Sequence, residues 1–327
     1  MFRLIRSIAA LIMITACTGR IEISQLPSLD GKGLSGLYAA QIGEKLYVAG
    51  GCNFPDAPLI EGGKKKFYDD ILMLDGEKWV TVGHLPAPSA YAAYLVTNGG
   101  MLIMGGANAS GSMDCVWFFD GATVTERPSL PKPLEQAAWC KSEGKIYLAG
   151  GLSDGEPSRD VLVCGNDGWK TVAVLPAPVV QGIAVVEDGH FLVWGGFDPS
   201  TKEALKGGYA LNLTTGEWSA LAADVTFAGS APLGYYAAGG CDAEILTAAL
   251  HLPKEKIREY QSRPVDYYRF RGELRKYECG CWRVVAKSEH LARAGAALAE
   301  YQGDIVSIGG ELKPGVRSPE VWRVKVR

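Results

Sequence analysis

Leu46-Tyr-Val-Ala-Gly-Gly51 is the first of six apolar strands that run into a pair of glycines. The others are Met101-Leu-Ile-Met-Gly-Gly106, Ile146-Tyr-Leu-Ala-Gly-Gly151, Phe191-Leu-Val-Trp-Gly-Gly196, Gly234-Tyr-Tyr-Ala-Ala-Gly-Gly240 and Ile305-Val-Ser-Ile-Gly-Gly310. The second glycines are 55, 45, 45, 44 and 70 residues apart, a period near 45 with two insertions. Such a period suits four short strands per unit. Around each pair the order of segments repeats. A strand such as Tyr91-Ala-Ala-Tyr-Leu-Val comes first, then a Gly turn and the strand ending in Gly-Gly. A polar loop, a third strand (Asp70-Ile-Leu-Met-Leu in the first unit) and a fourth strand follow. The fourth often opens on Trp, at Trp79, Trp169, Trp218 and Trp282, and Leu-Pro follows at Leu85-Pro86 and Leu175-Pro176.

Six such units resemble the kelch pattern, which implies an all-β, six-bladed β-propeller with four-stranded antiparallel blades. The glycine pair answers the crowding near a central channel, since glycine tolerates positive φ and close approach. A Trp fills the space between neighbouring sheets, where an aromatic buries much area. The sixth unit, from Ala292 to Arg327, offers three strands only. The segment Ile21-Glu-Ile-Ser-Gln-Leu-Pro27 looks like the missing fourth strand with its Leu-Pro. It is expected to pair with the C-terminal unit and close the ring, leaving no open edge.

The first sixteen residues read as a processing signal. Arg3 and Arg6 form a basic start, Ile8 to Ile14 an apolar stretch, and Ile14-Thr15-Ala16-Cys17 a lipobox. The expectation is a lipoprotein signal at 1–16, acylation of Cys17, and a single propeller domain over 17–327. Two or more acyl chains hold a protein firmly to a membrane. No acidic run follows Cys17, which points to a lipid-anchored periplasmic location. Removing Arg3 and Arg6 with no acids takes the net charge from −3 to −5, and without a basic tract nucleic acid is not an expected partner. Seven cysteines remain, an odd number, so at least one is unpaired within the chain. Buried free thiols are the expectation for most of them. Cys279-Gly-Cys281 is too tight for a zinc knuckle, and no metal or other cofactor is expected.

Two units are expanded. In the fifth, Ile245 to Tyr260 has helix-like spacing broken by Pro253. It reads either as a solvated loop with some helix or as a lid near the channel. In the first, Gly50-Gly51 leads into Cys52-Asn53-Phe54-Pro55 and then Glu61-Gly-Gly-Lys-Lys and Asp69-Asp70-Ile. Together with Gly310-Glu311-Leu-Lys313-Pro-Gly315-Val-Arg317, these loops resemble the N-acetylneuraminate epimerase (sialic acid mutarotase) family. In the enterobacterial form the Lys-Pro-Gly-x-Arg unit comes earlier than the Glu-Gly-x-Lys-Lys unit. Here it comes last, as in a circularly permuted branch, and a closed ring would keep the two units adjacent.

The resemblance implies interconversion of the α and β anomers of N-acetylneuraminate by acid–base opening and closing of the ring. It implies Glu61 as proton acceptor and Arg317 as partner of the sugar carboxylate. Asn53, Arg293 and Glu311 are candidates for sugar hydroxyls or the acetamido group. Each has a plainer reading: Asn53 shaping the turn, Arg293 pairing on the surface, Glu311 bonding loop backbone. The alternative for the whole chain is a non-catalytic kelch module that binds glycan or protein at a membrane surface. A copper radical oxidase would need ligands that four scattered histidines (His84, His190, His251, His290) do not supply. A sialidase would carry Ser-x-Asp-x-Gly-x-x-Trp repeats, which are absent. The residues leave the oligomeric state open.

Overall fold

A computed structural model describes residues 21–326 apart from Lys32. The lipobox and Cys17 lie outside the described residues. Six four-stranded antiparallel sheets succeed one another along the chain, as expected. The first blade is built from Tyr38–Ile42, Lys45–Ala49, Asp70–Asp75 and Lys78–His84. The sixth takes Ala297–Tyr301, Asp304–Ile308 and Val321–Lys325 from the C-terminal end and Glu22–Leu26 from the N-terminal end. The closing pair is antiparallel, with Glu22 opposite Lys325 and Leu26 opposite Val321. The proposed fourth strand is therefore in place.

The glycine pairs do more than turn the chain. Both members of every pair have positive φ, for example 69° at Gly150 and 82° at Gly151. In five of the six pairs the second glycine's N–H donates to a carbonyl of the next unit, as Gly51 does to Ser89 and Gly310 to Leu34, both at 2.8 Å. A Cβ on Gly150 would sit 2.1 Å from the carbonyl oxygen of Val179. The strand end is thus pressed onto the neighbouring blade's backbone, with no room for a side chain. Gly309 meets Leu34 in the same way, so the last unit docks on the first.

Between blades the core is aromatic. Tyr47 of the first meets Phe119 of the second edge-on at 5.2 Å, and Tyr147 of the third stacks with Phe191 of the fourth at 5.4 Å. Trp282 fills the gap to the fourth blade against Trp194, as the repeat suggested. Trp218 instead rests on Tyr209 of its own sheet.

After most glycine pairs the chain makes a two-residue-deep hairpin, for instance Cys52–Asn53 with Lys66–Phe67 and Glu311–Lys313 with Val316–Arg317. The fifth unit replaces it with helices. Helix α1 spans Ala243–Leu250, capped by the Asp242 carboxylate on the N–H groups of Glu244 and Ile245. Pro253 ends the run and leads into a short 3-10 turn, and helix α2 follows at Ile257–Ser262. This insertion is held at both ends. The Ala204 N–H donates to Thr247 Oγ1 at 3.0 Å, and Lys313 Nζ donates to the carbonyl of Arg263 at 2.9 Å. It is a docked segment bridging the fourth and sixth units, which goes beyond a solvated loop.

Candidate functional site

One feature organises the face where these hairpins lie. Two residues before each blade's first strand stands a residue with left-handed φ: Gly36, Tyr91, Gln136, Gln181, Gly229 and Gly295. Backbone hydrogen bonds link them from blade to blade. Gly295 N–H donates to Gly229 O, Gly36 to Gly295, Tyr91 to Gly36, Gln136 to Tyr91 and Gln181 to Gln136, all within 2.8–2.9 Å. These bonds form a rim round the axis, open between the fourth and fifth blades. Holding three non-glycine residues left-handed costs on the order of 1 kcal/mol each.

A cavity of about 430 Å³ opens at this rim, large enough for a small ligand. In its polar wall Glu311, Tyr91 and Lys65 come from the sixth, second and first units; Glu135, Gln136 and Gln181 come from the third and fourth; Ser35, Asn108 and Ser230 add to the lining. Gln181 Nε2 donates to Gln136 Oε1 at 2.6 Å, and Gln136 Nε2 donates to Glu135 Oε2 at 3.0 Å. Ser112 Oγ donates to the other carboxylate oxygen of Glu135 at 3.0 Å.

Glu311 forms an ion pair with Arg317 and accepts the Gly315 N–H at 2.6 Å. The hairpin makes this possible, because its register sets Glu311 opposite Arg317. Arg317 is 9% exposed and lies 5.4 Å above the Phe54 ring. Burial weakens its hold on a proton, but Glu311, then Tyr91 and Cys52, outweigh that and raise its affinity. Its Nε is buried with no hydrogen-bond partner among the described residues. Tyr91 Oη lies 3.1 Å from Cys52 Sγ. Burial first, and Cys52 second, push this phenol well above its usual value, so it stays protonated. Gly36 permits the arrangement, since a Cβ there would lie 2.6 Å from the Tyr91 ring.

The sequence-derived candidates separate cleanly. Glu311 lines the cavity, and Arg317 is held beside it. The plainer reading of Glu311 also holds, because it bonds loop backbone at Gly315. Asn53 is 6% exposed, donates to the Gly33 carbonyl at 3.0 Å and accepts from Tyr68 at 2.8 Å, so it ties its hairpin to the segment before the first blade, away from the cavity. Arg293 does not pair on the surface. It is 2% exposed and donates to the Gly309 carbonyl, Ser318 and Glu320 at 2.9–3.2 Å. Glu61 is the exposed last residue of a half-buried 3-10 turn, Leu59–Glu61, and does not line the cavity. The first and sixth loops do meet, as the ring order implied, but through Phe54 with Arg317 and Leu59 with Gly315.

Of the cysteines, Cys52 and Cys140 are buried, Cys279 and Cys281 are exposed, and all seven described are free. Burial pushes the Cys241 thiol, close to the cavity beside Gly229, up to about 12. Arg271 is a further largely buried guanidinium, donating to Ser230 at 3.1 Å. Burial and the neighbouring Arg275 lower it to about 10. Among the described residues Asp69, Asp70 and His84 cluster within metal-ligand reach, on the outer side of the first blade. Sequence reasoning missed Tyr91, Glu135, Gln136 and Gln181. Aligning the six units on their glycine pairs would have exposed three of them, as side chains where the other units have glycine.

No family model matches the chain. The N-acetylneuraminate epimerase of Brucella melitensis biotype 1 is 35% identical over 103 residues, covering 28% of this chain and 26% of that protein. That of Haemophilus influenzae (strain 86-028NP) is 29% identical over 233 residues, covering 64% of this chain and 61% of the relative. That of Yersinia enterocolitica is 24% identical over 248 residues, covering 65% and 61%. The chain thus spans about a quarter of the length of the first relatives and about three fifths of the others. The solved structure of YjhT superposes on 92% of this chain and 100% of its own with a TM-score of 0.65 at 14% identity, which shows a shared fold.

Proposed function

We propose that the chain is a mutarotase that interconverts the α and β anomers of N-acetylneuraminate, with the chemistry at Glu311. The observation that carries this is a carboxylate, oriented by Arg317 and the Gly315 N–H, on the wall of a polar axial cavity. The names of the relatives supply the substrate. Opening the cyclic hemiketal requires removal of the anomeric hydroxyl proton while the ring oxygen gains one; reclosure on the other face reverses both transfers. Glu311 takes the anomeric hydroxyl proton, and solvent water supplies the proton that the ring oxygen gains. On reclosure the ring hydroxyl gives its proton back to water, while protonated Glu311 returns its own to the anomeric oxygen. The Tyr91 phenol, kept neutral by burial, is placed to donate a hydrogen bond to an oxygen of the sugar. Arg317 positions Glu311 and adds positive charge for the substrate carboxylate.

Freshly released α-anomer followed by NMR tests this. Wild type should hasten anomerisation over the solvent rate, and Glu311→Gln should lower kcat about 100-fold or more. No wild-type acceleration would defeat the function. A fully active Glu311→Gln would move the chemistry elsewhere, and Glu61→Gln is the variant to examine next. Arrangement as a permuted ring is part of the same proposal, supported by the docking of the sixth unit on the first. So is a periplasmic, lipid-anchored location through Cys17, which rests on the lipobox; an unacylated mature chain in the membrane fraction's intact mass would remove it.

A further inference from the structure

We infer that Gln136 and Gln181, braced by Glu135, are the residues that recognise the non-reacting substituents of the substrate; the inference rests on the proposed function. The six rim positions are equivalent by register and share one backbone conformation, with φ between 56° and 71°. That conformation suits glycine, and the fifth, sixth and first blades have glycine there. The second, third and fourth retain Tyr91, Gln136 and Gln181 against that preference. A side chain kept where the backbone favours its absence calls for a use. All three face the same cavity.

Chemistry divides the rim in the same way. The three glycines flank Glu311, whose backbone bridges Ala294 next to Gly295, so the reacting end of a sugar can approach without obstruction. Opposite, the chain Gln181–Gln136–Glu135–Ser112 fixes the amide orientations. Each carboxamide has two N–H donors and an oxygen with two lone pairs. The chain uses one donor from each glutamine and one acceptor site on Gln136, leaving the remainder for a ligand. A fixed row of alternating donors and acceptors matches an acetamido group or a polyhydroxyl tail and offers nothing to a plain apolar ligand. The row therefore acts as a specificity wall facing a reactive carboxylate.

Gln136→Gly and Gln181→Gly test this, because glycine relieves the left-handed strain and preserves folding. Their melting temperatures should hold or rise. The KM for N-acetylneuraminate should increase about tenfold in each, the effect of one lost hydrogen bond, with kcat within about threefold of wild type. For a sialic acid analogue lacking the acetamido and glycerol substituents, KM should not change. An unchanged KM for the full substrate, or equal changes for both compounds, overturns the inference while leaving the mutarotase function standing. Failure of the wild type to accelerate anomerisation of either compound overturns both.

Discussion

Single residues in this protein divide into those that hold a loop and those that face the cavity, and their hydrogen-bond partners distinguish them better than charge or burial. Arg293 and Arg317 are both arginines of the sixth unit, and both are buried. Arg293 donates through its two terminal nitrogens to Gly309, Ser318 and Glu320, so it pins the loop after the sixth glycine pair. Glu320 is also bonded by the Trp322 indole at 3.0 Å. That bond, and then Arg293, hold its carboxyl below the ordinary glutamate range. A carboxyl depressed in the folded state contributes stability that is present above its unfolded value and is lost as pH falls through the folded one. Glu320→Gln should therefore cost about 1–2 kcal/mol at neutral pH, discounted because Glu320 is partly exposed. The deficit should shrink as the pH falls below the ordinary glutamate range and through the depressed folded value, where the wild-type carboxyl also protonates. Urea melts at pH 7 and pH 3 measure this, and an equal deficit at both would refute the role of the charge.

At the scale of elements, the site depends on hairpins that the four-stranded repeat does not need. The hairpin of Glu311–Lys313 with Val316–Arg317 brings carboxylate and guanidinium together, and its Lys313 reaches outward to the end of α2. There it meets the carbonyls of Gln261 and Arg263, unsatisfied groups at a helix C-terminus that attract a cation. One short loop thus presents Glu311 inward and anchors the insertion outward. Lys313→Met should free this end of the insertion at a cost of about 0.5–1 kcal/mol. Trypsin should then cut faster at Lys256 and Arg258, while the melting temperature of the propeller changes little. Unaltered cleavage would mean that the aromatic cluster of Tyr260, Tyr267 and Tyr268 holds the insertion alone.

Across the whole molecule the decisive contact joins the two ends of the chain. Glu22–Leu26 completes the sixth sheet along a five-residue register, and Gly309 and Gly310 dock on Leu34. Losing the N-terminal strand would expose the edge of Val321–Lys325 and uncover part of the core around Val321. A chain beginning after Pro27 should melt roughly 10 °C lower or more, at about 2–4 °C per kcal/mol for a domain of this size. Equal melting temperatures would show that the ring is held by inter-blade packing alone. The rim hydrogen bonds belong to this scale too, since each joins two blades and none exists within one.

The propeller, its six units and its closing strand were legible from residues alone, because a glycine pair pressed against the next blade's backbone admits no other residue, and the repeat spacing follows directly. The Gly310 to Arg317 loop was legible as well, since a short hairpin holds its own Glu and Arg in register. The cavity was not. Tyr91 read as the start of a strand, yet it sits two residues before Ala93–Thr97 with a φ of 64° and turns toward the axis. Glu61 and Asn53 looked like site residues by their neighbours in sequence, but one faces solvent and the other is buried against Gly33 and Tyr68. Which side chains converge on the axis depends on contacts between blades that are 45 or more residues apart in the chain, and only the closed ring brings those together.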